Sequence, residues 1–155
     1  MTALQATSPL PTLPGDVVAL PARPHHPGTG SVADMALLEE VKQACPERTD
    51  PGKWRQNRTY RYGWSLFEAG FYWEAHEVWE PVWLACRPNS LEKSFLRAAI
   101  QLTNACLKDA MGKTNAARRL FDEVEGLVSE LKTALGAENT SYMGVDMTRF
   151  ARRES

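Results

Sequence analysis

The chain has 155 residues, of which 24% are charged, and a formal net charge of −1. That length gives one domain with a core large enough to need no staples, and the near-neutral balance gives no strong electrostatic bias toward nucleic acid or anionic membrane, so neither is expected as a partner. An odd count of three cysteines (Cys45, Cys86, Cys106) points to reduced thiols in a cytoplasmic protein, and neither a signal-peptide pattern nor a membrane-spanning apolar run is present in the sequence.

Residues 1–30 hold six of the ten prolines and the run "HHPGTG". Proline fixes φ and removes a donor, so this segment is expected to form a disordered or extended arm, with His25 and His26 solvated within it. Ser31 then has the character of an N-cap for "VADMALLEEVKQAC", with Asp34 in its first turn and Pro46 closing it. Residues 31–52 are therefore a short helix and a linker, "PERTDPGKW" supplying two prolines, a glycine and charge.

Residues 53–150 carry the main pattern. In "NRTYRYGWSLFEA", Tyr60, Trp64 and Phe67 recur at amphipathic helical spacing, and Gly70 ends the run. A second core helix is predicted from Phe71 to about Ala85, broken by "CRPNS". Ser90 caps a third, "LEKSFLRAAIQLTNACLKDAM", although Lys93 stands where a full capping box needs an acid or amide. Gly112 stops it, and "KTNAARRLFDEVEGLVSELKTAL" is a fourth, ended by Gly136. No sustained alternation indicates strands, so the class is all-α. Gly70 and Ala75 recur as Gly112 and Ala117, a glycine joining two helices and a small residue five positions later. The expected form is two stacked antiparallel helical hairpins, tetratricopeptide-like in their pairing but closed as a four-helix core.

The second core helix holds "WEAHEVWEPVW", residues 73–83. At about 100° per residue from Trp73, the residues Ala75, Val78, Trp79, Val82 and Trp83 form an apolar face. Trp73, His76, Glu77 and Glu80 gather at its border, with His76 and Glu80 one turn apart, and Glu74 stands alone at about 100°. As an ordinary helix surface, the three glutamates are solvated and His76 donates to Glu80. As a site, His76 and Glu80 are metal ligands, with zinc one suitable divalent ion, and Glu77 is the general base. Pro81 takes one hydrogen bond from the carbonyl of Glu77 and favours a bend there. On the third core helix, Arg97, Gln101, Asn104 and Lys108 form a polar stripe; Gln101 is placed to reach the His/Glu row, and Glu68 is a further candidate. Arg118 and Arg119 are expected to pair with Asp122 and Glu123 on the surface.

The run "LFEAGFYWEAHEVWEPVW", with "FLRAAIQLTNACLKDAMGKTNAARRLF" and the later "YMGVD", resembles the bacterial family called domain of unknown function 309 over about residues 58–148. The residues that carry the resemblance are Leu66, Phe67, Gly70, Tyr72, Glu74, Ala75, His76, Glu77, Glu80, Trp83, Ile100, Gln101, Gly112, Ala117 and Gly144–Asp146. The resemblance implies stacked helical hairpins and a metal-dependent hydrolase activity resting on the His-Glu pattern. This chain departs from it in having no histidine near Leu107 or Lys108 and in having Pro81 where a glutamate is more usual.

Three readings follow. The first is a non-catalytic interaction module with a His/Glu polar cluster, binding a small ligand, a protein partner or a second copy of itself through a concave face or through Trp73. The alternative is a metal-binding protein or metal-dependent hydrolase in which His76 and Glu80 hold the ion, Glu77 activates water, and Glu74, Gln101 and Asn104 line the site. In the third, the cluster only fixes helix register.

Overall fold

In this computed structural model, residues 20–21 and 32–151 are described. The expected N-terminal arm, apart from Leu20 and Pro21, lies outside the described residues, as do His25, His26, the Ser31 cap and the closing arginines.

Five α-helices build the described chain: α1 (Val32–Gln43), α2 (Arg58–Glu68), α3 (Tyr72–Leu84), α4 (Leu91–Ala110) and α5 (Thr114–Leu135). The linker before α2 is more ordered than its prolines suggest. Asp50 accepts from the Gly52 amide and starts a 3-10 helix over Pro51–Gln56. Asn57 ends that turn and opens α2, its side chain accepting from the Tyr60 amide at 3.0 Å.

The glycines at 70 and 112 perform the same operation. Each has positive φ, 87° and 77°. The amide after each reaches back to a carbonyl five residues earlier: Phe71 to Leu66 at 2.8 Å, Lys113 to Lys108 at 2.9 Å. This is the left-handed close of a helix, which a side chain would strain. Ala75 and Ala117 both lie fully buried, where the returning helix meets its partner. α2 and α3 therefore form one hairpin and α4 and α5 another, and α3 packs against α4 to stack them, with α1 lying mainly on α3.

The all-α class is observed with one small addition. Ser141–Tyr142 (β1) pairs antiparallel with Val145–Asp146 (β2) around Met143 and Gly144, both at positive φ. Two-residue strands are too short to leave a periodic signal. A last 3-10 helix, Met147–Phe150, follows, capped by Asp146, which accepts from the amide and the hydroxyl of Thr148 at 2.8 and 2.7 Å.

This terminal segment seals the core. Phe150 meets Trp64 and Phe95 edge-on, and Tyr142 meets Phe95. The Tyr60 hydroxyl donates to the Met143 carbonyl at 2.8 Å. Arg149, buried, stacks over Trp64 and pairs with Glu68. Residues 141–150 thus cover aromatic side chains of α2 and α4. Glu68, a candidate for the His/Glu site from sequence, is committed to this closure.

Candidate functional site

α3 runs unbroken through Pro81. Its apolar face is the predicted one: Ala75, Val78, Trp79 and Val82 are fully buried, while Trp83 is half-buried beneath the Lys93 ammonium, 4.5 Å from its ring. Trp79 anchors the helix, donating from its indole nitrogen to the Tyr60 carbonyl at 2.9 Å. With that face fixed, the border residues are turned toward the surface beside α1.

There His76, Glu77 and Glu80 come together. His76 Nε2 lies 3.4 Å from Glu80 Oε2, one turn on, and His76 Nδ1 lies 3.7 Å from Glu77 Oε2. One donor atom from each of the three falls within 4.8 Å of the others. His76 and Glu77 keep 26% and 24% of their side-chain exposure and Glu80 keeps 54%, so the cluster is rooted in the fold yet open to solvent.

A fourth group, which no local sequence pattern announces, joins it. Lys42, in the last turn of α1, places Nζ 3.0 Å from Glu77 Oε1 and 4.0 Å from Glu39 Oε2. Nothing local in the sequence could pair Lys42 with Glu77, 35 positions away. Leu38 and Val41, both buried, hold α1 in place, and the Thr59 hydroxyl donates to the Val41 carbonyl at 2.9 Å.

The other predicted residues divide. Glu74 is 1% exposed and sits inside the core, off the open border. Trp73 is half-buried and packs against the core instead of standing clear of it. Gln101 turns to α5, donating from Nε2 to Glu123 Oε2 at 3.0 Å and accepting from Asn104 Nδ2 at 2.9 Å. Its amide is satisfied there, so Gln101 and Asn104 do not extend the His/Glu row. Glu123 also takes Arg97 at 3.1 Å, a pairing between α4 and α5 where a local pair with Arg118 or Arg119 was expected.

Chemically, an imidazole nitrogen and two carboxylate oxygens form a mixed donor set suited to a borderline divalent ion such as Zn²⁺. Three protein donors leave room in the shell for water or a ligand. The thiols are a different case: burial pushes Cys45 and Cys86 up to about 11, which keeps both protonated and poor as ligands at neutral pH.

No helix among the described residues is long and apolar enough to cross a membrane. No curated protein and no solved structure matches the chain. The resemblance noted at Gly144–Asp146 falls outside the family match, which includes Glu74, His76, Glu77, Glu80, Gln101, Gly112 and Ala117. Residues 60–120, from the start of α2 into α5, match the model of the family described as Domain of unknown function (DUF309).

Proposed function

We propose that this protein is a non-catalytic binding module whose His76–Glu77–Glu80 cluster takes up a divalent metal ion. The observation that carries the reading is the gathering of three donor atoms within 4.8 Å on one well-anchored helix. Side chains already close together lose less freedom on binding than scattered ones. His76 supplies the nitrogen that favours a transition-series ion over calcium or magnesium, and Glu80, the most exposed of the three, supplies the readiest oxygen.

Hydrolysis is the less favoured use of the same residues. A general base needs a free oxygen facing water. Glu77 is one of the three donors gathered at the cluster, and a carboxylate that holds the ion is not that free base. A peptide bound in a concave face is likewise less favoured, because residues 141–150 cover the aromatic side of α2 and α4.

Calorimetric titration with Zn²⁺ tests the proposal. The expected result is one ion per chain, lost or weakened at least about tenfold in His76→Ala and in Glu80→Gln, with helical circular dichroism unchanged. A parent protein that takes up no Zn²⁺, Mn²⁺ or Co²⁺, or a His76→Ala variant that binds as well as the parent, overturns it. Zn²⁺-dependent ester hydrolysis abolished by Glu77→Gln would establish the catalytic reading in its place.

A further inference from the structure

We infer that Lys42 is a built-in competitor for the cluster: its ammonium stands in for the cation, and metal uptake hands it from Glu77 to Glu39. The inference rests on the proposed metal site and adds what regulates it.

The geometry has three parts. Lys42 Nζ sits 3.0 Å from Glu77 Oε1, a charge-assisted hydrogen bond between half-buried groups with 29% and 24% of their side chains exposed. Glu77 is also one of the three donors gathered with His76 and Glu80. One carboxylate thus serves two cations, an ammonium from α1 and any ion seated on α3. Two carboxylates bring two negative charges to the cluster, and Lys42 cancels one of them.

The third part is the exit. Lys42 Nζ is already 4.0 Å from Glu39 Oε2, one turn back on its own helix. An i, i+3 acid is within easy rotamer reach of a lysine, so the ammonium can leave Glu77 without losing a counter-charge. Meanwhile α1 need not come away. Its backbone is held by the buried Leu38 and Val41 and by the Thr59 hydroxyl on the Val41 carbonyl. What moves is one flexible side chain, and it moves between two acids on different helices.

This arrangement sets affinity from outside the cluster. Lys42 belongs to α1, outside residues 60–120, whereas His76, Glu77 and Glu80 lie within that family-matched stretch. It also discriminates by charge. A monovalent cation gains little by displacing an ammonium of equal charge, whereas a divalent ion that also engages His76 and Glu80 gains two further donors.

The test is a set of Zn²⁺ titrations on the full chain. Lys42→Met keeps the apolar stem and removes the charge; its dissociation constant is expected to fall about tenfold, since a like charge has left a partly screened site. Glu39→Gln removes the alternative partner and is expected to weaken Zn²⁺ binding several-fold in the parent but not in the Lys42→Met background. The two variants sit on an exposed helix face and at its edge, and melting temperatures check that both fold. If the parent binds Zn²⁺ through His76 and Glu80 while Lys42→Met leaves the constant unchanged, this inference fails and the metal site stands. If neither the parent nor Lys42→Met binds, the metal reading itself has failed.

Discussion

Gly63 decides how closely α2 and α3 approach. A Cβ built there would lie 2.0 Å from Trp79 Nε1 and within 2.5 Å of two further ring atoms. The indole has no room to retreat, because it is fully buried and donates to the Tyr60 carbonyl. Gly63→Ala is expected to cost about 3 kcal/mol, read as a lowered urea midpoint with an unchanged slope. In the sequence Gly63 is only a glycine inside an aromatic helix; its reason lies on another helix. Ala75 and Ala117 were legible because each follows its glycine at a fixed interval. A second residue-level expectation concerns pH. Burial raises the thiols of Cys45 and Cys86 from an ordinary value of 9.0 to about 11. The unfolded chain therefore releases these protons first as pH rises. Stability is fully present below pH 9 and declines toward pH 11. Urea midpoints at pH 8 and pH 10 check this, with Cys45→Ser expected to flatten the decline.

At the scale of elements, the two hairpins depend on their caps. Asn57 is 3% exposed and closes one 3-10 turn while opening α2. Asn57→Ala is expected to lower stability by about 1–2 kcal/mol, measured by chemical denaturation, while Asn57→Asp retains most of it. Ser90, whose hydroxyl accepts from the Lys93 amide, plays the same part for α4 and was readable because an apolar run follows it directly. Helical period was enough to place His76, Glu77 and Glu80 on one border of α3, since neighbours on a helix are fixed by spacing alone. It was not enough to place Gln101. A polar residue on a mostly apolar helix must find a partner, but periodicity does not say on which side. Glu123 of α5 supplied it, and α3 did not. The hairpin of β1 and β2 escaped for a related reason: its turn puts a methionine at positive φ, which residue type does not announce.

Across the whole molecule, the terminal segment converts a stack of hairpins into a closed core. Arg149 pairs with Glu68 while its guanidinium lies 5.0 Å over the Trp64 ring, so one residue ties the last 3-10 helix to α2. Removing one partner of such a pair leaves a charge in a largely dry place. Arg149→Met is expected to cost about 3 kcal/mol, and Arg149→Met with Glu68→Gln less than the sum of the two, in a thermal-denaturation double-mutant cycle. The sequence hinted at this region through "YMGVD" but could not say that it folds back, because the pairing spans 81 positions. That closure sets an order for biosynthesis. A ribosome delivers residues 141–150 after every helix they cover, so Tyr60, Trp64 and Phe95 wait, wet and sticky, until those residues emerge. Nascent chains arrested short of Ser141 should remain in the hands of chaperones, and a gene fragment cut to residues 60–120 should yield inclusion bodies, not a working domain.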